Sequence, residues 1–301
     1  LLVFELAILA TQPQYAIKHL DYGDFQMRNM TKCCLILSFW TATALAESSP
    51  SPQWQTRLRA EAGTVGVQNH VIKFGKNGTQ FDYLKDGDQD ILYPYQRFEA
   101  IFSNSSGHAL YFVYQPLELV SNPILDRDVI VDGETFSKDT PMNLRYSFPF
   151  YRVSYVANYQ SGDSNWGWGG SLQIRNASIN FSSVDGTKRR NNQNIGPVPT
   201  VKFIYESGLF SSCRWGAELD AMYAPVKYLN GSDSDVVGAF TDFSLRTSTP
   251  LNWQAARSFV ALRYIGGGAS GTSKPPKGRG DGFTSNWIDL ISFSLGLDAT
   301  I

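Results

Sequence analysis

The sequence predicts an all-β chain: one closed, antiparallel, up-and-down transmembrane β-barrel of about ten strands, with twelve as the alternative. Three observations predict it. Long stretches alternate apolar and polar residues with a period of two, the pattern of strands whose faces meet different surroundings. The connectors between these stretches are alternately short and long. An export leader stands ahead of them, and no later apolar run reaches the roughly 20 residues of a membrane helix.

Composition agrees. The 301 residues are 14% aromatic and 18% charged, with a formal net charge of −1. Abundant Tyr, Phe, Trp and Gly suit strands and tight turns better than helices. The lack of a basic excess argues against a nucleic-acid partner. Near the start, Arg28 and Lys32 precede the apolar run Cys33–Trp40, and Ala44-Leu45-Ala46 follows. A basic start, a short apolar stretch and an A-x-A end read as a secretory signal peptide. Residues 1–26 then form an upstream extension, 27–46 the signal, and 47–301 a single barrel domain with Glu47 as the mature start. Cys33 and Cys34 leave with the leader, so Cys213 is left without an internal disulfide partner.

Strands are expected near 64–74, 92–103, 108–120, 142–160, 166–182, 199–208, 213–224, 236–247, 253–265 and 285–301. At the C-terminus Trp287, Ile291, Phe293, Leu295, Leu297, Ala299 and Ile301 share one face, which Asp289 alone interrupts. In 213–224, Trp215, Ala217, Leu219, Ala221 and Tyr223 oppose Arg214, Gly216, Glu218, Asp220 and Met222. Leu172 and Ile174 are out of phase with Ala177, Ile179 and Phe181, so a β-bulge is expected near Arg175-Asn176. Pro149 demands a bulge or an edge within 142–160. Counting Trp54–Glu61 and a hairpin at Phe81–Leu84 as further strands gives the twelve-strand alternative.

Links after even-numbered strands are short: 104–107, 161–165, 209–212 and 248–252. Those after odd-numbered strands are long: 75–91, 121–141, 183–198, 225–235 and 266–284. A membrane barrel sorts connectors this way, because the turns on one side are tight and the outward loops grow freely. A soluble sandwich has no reason to do so.

The leader, the alternating C-terminal strand and the turn–loop alternation together resemble bacterial outer-membrane β-barrel proteins. The resemblance spans nearly all of 54–301 and is architectural; Ile301 departs from the aromatic last residue common in such barrels. It implies an outer-membrane location, with lipid, lipopolysaccharide and the outer-membrane assembly machinery as partners. The apolar faces carrying Trp215, Leu219, Phe243, Phe293 and Leu295 would then meet lipid.

The opposite faces carry Lys202, Glu206, Arg214, Glu218, Asp220, Asp242, Arg246, Arg257 and Arg263. Pointing into a narrow lumen, they would form an ion-paired network, since unpaired buried charges are costly. A filled lumen predicts a structural or binding role with no cofactor; a narrow pore for small solutes is one alternative. Another is a lipid or peptide hydrolase at the outer leaflet using His70 or His108, although neither sits in a G-x-S-x-G or H-E-x-x-H motif. Asp86, Asp88 and Asp90 are spaced like the start of a calcium loop, but Ile91 and Arg97 occupy the places of the required Gly and Glu. Lys188, Arg189 and Arg190, with Lys274, Lys277 and Arg279, are loop cations suited to lipopolysaccharide phosphates. A soluble ligand-binding barrel would have the same strands with every side chain inverted.

Overall fold

The computed structural model describes residues 53–210, 212–225, 235–252, 255–272 and 281–301. The expected leader at 27–46 lies outside the described residues. The elements are β1 (Trp54–Phe74), β2 (Phe81–Asp82), β3 (Leu92–Asn104), β4 (His108–Gln115), β5 (Glu118–Ser121), β6 (Val129–Val131), β7 (Glu134–Phe136), β8 (Met142–Ser147), β9 (Phe150–Ser161), β10 (Ser164–Ser183), β11 (Arg189–Phe210), β12 (Cys213–Pro225), β13 (Val237–Pro250), β14 (Ala256–Thr272) and β15 (Phe283–Thr300). Among the described residues no helix could cross a membrane.

Ten strands close an antiparallel barrel. The ring runs β1-β3-β4-β9-β10-β11-β12-β13-β14-β15 and returns to β1. The twelve-strand alternative fails for two local reasons. Trp54–Glu61 is the first part of β1, and Phe81–Asp82 pairs with Val71–Ile72 outside the ring. Short turns gather at one end, here the turn end. The opposite, loop end carries the longer connectors and β2 with β5–β8. One long loop expected from sequence is short: β10 and β11 pair up to Ser182↔Arg189, so only residues 184–188 join them.

Prolines segment two strands without breaking their register. β4 and β5 flank Pro116 and keep one alignment against β9 and β8, from Gln115↔Phe150 to Glu118↔Ser147. β8 and β9 flank Pro149 in the same manner against β10, with Ser178↔Ser147 and Arg175↔Phe150. Without an N–H, proline cannot donate to the ladder, and pairing resumes beyond it.

The bulge expected near Arg175-Asn176 is absent, because the β10–β11 register is continuous from Asn165↔Glu206 to Ser182↔Arg189. Leu172 and Ile174 face outward and are half exposed, whereas Ala177, Ile179 and Phe181 face inward and are buried. The apolar phase changes because the surroundings change. Toward the turn end the exterior is apolar, with Phe112, Val153, Leu172, Phe203, Leu219, Phe243, Leu262, Phe293 and Leu295 facing out. Phe293 and Leu295 are 54% and 61% exposed, opposite buried Ser292 and Ser294. The stacked pair Tyr159–Trp166, 4.7 Å apart, borders this belt near the turns.

Toward the loop end the pattern reverses. The β11–β12 ladder stops at Val201↔Ala221 and the β3–β4 ladder at Phe98↔Tyr114. The wall therefore divides into two hydrogen-bonded groups. One contains β5, β8 and the ends of β10 and β11; the other contains β12–β15, β1 and β3. Their inner faces share one apolar core, including Leu119, Leu144, Ile179 and Phe181 from the first and Val65, Ile72, Ile265 and Ile288 from the second. The β6–β7 hairpin turns at Asp132 and Gly133, whose φ values of 49° and 80° suit its two-residue Asp-Gly turn. Its Val129, Val131 and Phe136 complete the core.

Candidate functional site

The lumen inside the apolar belt is filled with charge. Alternation sends one side chain in two inward from each strand. β1 thus supplies Arg59 and Glu61, β3 Arg97 and Glu99, and β9 Arg152. β11 supplies Lys202 and Glu206, and β12 Arg214, Glu218 and Asp220. β13 adds Asp242 and Arg246, β14 adds Arg257 and Arg263, and β15 adds Asp298.

These groups form a paired lattice. Asp242 is bridged by three arginines, Arg263 at 2.7 Å, Arg152 at 2.9 Å and Arg97 at 3.5 Å. Arg152 also reaches Asp220 at 2.7 Å, and Lys202 meets Asp220 at 2.9 Å. Arg59 joins Glu99 at 2.6 Å, Glu218 at 2.9 Å and Asp298 at 3.1 Å. Arg246 bridges Glu218 and Glu206, and Glu206 meets Arg214 at 2.8 Å. Hydroxyls join in, with Ser294 donating to Glu61 and Ser171 to Asp220. Arg97 and Arg152 are 0% and 1% exposed. A buried guanidinium is tolerable only with this density of partners.

All nine lumen residues selected from sequence point inward, but not all join the centre. Arg257 sits at the turn end, donating to Ser248 and to the Ser212 carbonyl. Arg214 is partly exposed there and also pairs with Asp163 at 3.1 Å. The half of the network on β1, β3, β9 and β15 was missed, although Arg59-x-Glu61 and Arg97-x-Glu99 carry the same alternation.

Aromatic rings separate the lattice from the core at the loop end. The Arg152 guanidinium lies 5.3 Å from the Phe150 ring centre and 5.4 Å from that of Phe240. On the turn side, Lys202 Nζ lies 5.3 Å from the ring centre of Tyr111, which packs with Ile101, Ala109, Val156 and Ile204. Beyond this boundary and the apolar belt sits His70, fully buried. Its ring stacks on Tyr83 at 4.0 Å and meets Tyr146 edge-on at 4.5 Å, while Nδ1 is hydrogen-bonded to Gln89 Oε1 at 2.8 Å. Burial holds the imidazole neutral, lowering its pKa from 6.5 to about 4. His108 lies on the outer face near the turn end, hydrogen-bonded to the Tyr155 hydroxyl at 2.7 Å. Among the described residues, neither histidine's side-chain hydrogen bond is to a Ser or Asp, the pairing a hydrolytic dyad requires.

The remaining candidates scatter. Asp86 pairs with Arg127 at 2.7 Å, Asp88 has a φ of 46°, and no group of three potential metal ligands that includes Asp86, Asp88 or Asp90 occurs among the described residues. At the β10–β11 tip, Lys188 donates to the Thr135 carbonyl, Arg189 to Asn180, and Arg190 pairs with Glu134 at 2.8 Å. Lys274, Lys277 and Arg279 lie outside the described residues.

Closure, an even strand count, turns at one end, an apolar exterior and a charged interior define the class. This is the architecture of a bacterial outer-membrane β-barrel. No family model matches the chain, and no curated protein matches it. Among solved structures it is similar to the outer-membrane protease OmpT from Escherichia coli, at 9% identity and a TM-score of 0.49, covering 84% of this chain and 100% of that one. It is also similar to the P. putida toluene transporter TodX, at 6% identity and a TM-score of 0.34, covering 82% and 90%. A third is the beta domain of the Bordetella autotransporter Brka, at 10% identity and a TM-score of 0.31, covering 82% and 99%.

Proposed function

We propose that the chain is a sealed barrel of the outer membrane, exported by the leader at 27–46, with a structural or binding role at the outer surface. The observation that carries this reading is the charge lattice. At the level where the exterior is apolar, the cations Arg59, Arg97, Arg152, Lys202 and Arg263 occupy the lumen with the anions Glu61, Glu99, Glu218, Asp220 and Asp242, so that their charges are matched. Small barrels are filled by side chains in this way, whereas aqueous channels of the porin type need about 16–18 strands. The apolar core at the loop end adds a second barrier to ions. A planar bilayer holding the purified protein should show no conductance above background. Stepwise currents would instead identify a narrow pore. Recovery of the protein in the soluble periplasm would overturn the location.

Lys188, Arg189 and Arg190 form the cationic tip of this reading. Charge-assisted bonds from such a tip suit lipopolysaccharide phosphates. Replacing all three by Ser should weaken retention on immobilised lipopolysaccharide at low salt; unchanged retention would remove that contact.

A further inference from the structure

Two ladders of the ring stop short of the loop end. One, between β11 and β12, borders residues outside the described part. The other is fully described. β3 pairs with β1 as far as Leu92↔Gly66, but with β4 only as far as Phe98↔Tyr114. β5, which continues β4, stays with β8. Among the described residues no ladder pair joins Leu92–Arg97 to β5, so the wall has a vertical seam beginning within the belt and rising above it.

An open strand edge at that depth is unusual. Unpaired peptide groups facing hydrocarbon cost several kcal/mol each, which is why spanning barrels are closed. The seam has features that offset this. Pro94 and Pro116 flank it, and each lacks an N–H that would need a partner. The Tyr93 hydroxyl crosses it and donates to the Val120 carbonyl at 3.1 Å. Below, Tyr95 and Arg97 donate to Gln115 Oε1 at 3.4 and 3.1 Å. The seam is thus bolted by side chains where its neighbours are joined by backbone.

Its two mouths have the same character. Outside, Ile91, Leu92, Val120 and Ile124 are exposed, at 66%, 65%, 37% and 68%. On this part of the wall the apolar exterior reaches farther toward the loop end than it does on β10. Inside, directly behind, Tyr95, Val113, Leu117 and Leu119 belong to the apolar core. Arg97 and Gln115 form a polar floor that separates this route from the charged lumen. The seam is lined by apolar residues on its outer and inner sides, a lining that suits hydrocarbon better than an ion.

We propose that the seam between β3 and β5 is a lateral binding site for the acyl chain of an outer-leaflet lipid, which enters between the two sheets when the Tyr93–Val120 bond opens. The proposal rests on the membrane reading above. Its chemistry is non-covalent: one neutral hydrogen bond is exchanged for apolar contact.

The test uses the whole barrel in phosphatidylcholine vesicles containing a trace of phosphatidylcholine with a photoactivatable diazirine on its acyl chain. After illumination, adducts are located by mass spectrometry in the wild type and in Tyr93→Phe, which keeps the ring but loses the hydroxyl. Labelling is expected at Phe293 and Leu295 in both proteins, and also at Tyr95, Leu117 or Leu119. The inner labelling should rise about fivefold in Tyr93→Phe, the population change that follows from losing one net hydrogen bond. Labelling of Phe293 and Leu295 without inner labelling in either protein overturns the seam and leaves the membrane reading intact. No labelling of Phe293 and Leu295 overturns the membrane reading, and the seam with it.

Discussion

The section of the barrel inside the apolar belt and the section at the loop end are made from the same strands with opposite polarity. In β10, Leu172 and Ile174 point out while Ser171 and Gln173 point in. A few residues farther along, Ile179 and Phe181 point in, while Ser178 and Ser182 take the outward positions. No residue is inserted between them. The strand's geometry is constant and its surroundings invert. Beyond the belt the exterior is water, so the apolar side chains move to the inner face and the wall folds as a soluble two-sheet core. Hydrophobic burial holds the loop-end section together. In the belt paired charges fill most of the inside, and only a small apolar cluster of Ile101, Ala109, Tyr111, Val156 and Ile204 is buried there.

The sharpest break of this comparison is in the charged section. Asp242→Ala leaves Arg97, Arg152 and Arg263 without their shared anion. It should destabilise the barrel by about 3–5 kcal/mol, the cost of breaking a buried pair. The unfolding midpoint in urea with detergent micelles measures it. An unchanged midpoint would mean that the lattice is wet.

Next comes the exterior. Leu295→Arg should cost about 2–4 kcal/mol if the residue lies near the bilayer midplane. The same charge introduced as Ser178→Arg, on the outward face beyond the belt, should stay within about 0.5 kcal/mol of wild type. Equal costs at the two sites would remove the distinction between the sections.

The loop-end section should also respond to acid. His70 is neutral when folded, with a pKa lowered to about 4, and titrates near 6.5 when unfolded. Between these values the unfolded chain binds more protons, so stability falls as the pH drops from about 6.5 toward 4. The loss should total roughly 2–3 kcal/mol, and His70→Phe should abolish it. Unfolding midpoints of both proteins from pH 7 to 4 test this. A wild-type curve parallel to that of His70→Phe would place the histidine in water.

Most strands and the inward set Lys202, Glu206, Glu218, Asp220, Asp242, Arg246 and Arg263 were legible in the sequence, because period two is a local property. Three features were not. The reversal in β10 looked like a bulge, since alternation alone does not say where the solvent changes. Arg152 stands alone between Tyr151 and Val153, and its role depends on Asp220 and Asp242 from distant strands. The seam was hidden because Pro116 resembles Pro149 in sequence. Pro149 interrupts a strand whose pairing resumes on both flanks of the break, whereas beyond Pro116 the β3 side of the wall stays unpaired.

The central claim is that polarity inverts along a single wall, and β10 tests it most directly. In a Cys213→Ser background, a nitroxide is placed in turn at the outward positions Trp168, Leu172, Ile174, Ser178 and Ser182. The protein is reconstituted in vesicles, and collisions with oxygen and with a water-soluble nickel chelate are compared. The inversion predicts oxygen-dominated collisions at 168, 172 and 174, then a switch to nickel-dominated collisions at 178 and 182. Nickel-dominated collisions at all five positions would contradict it.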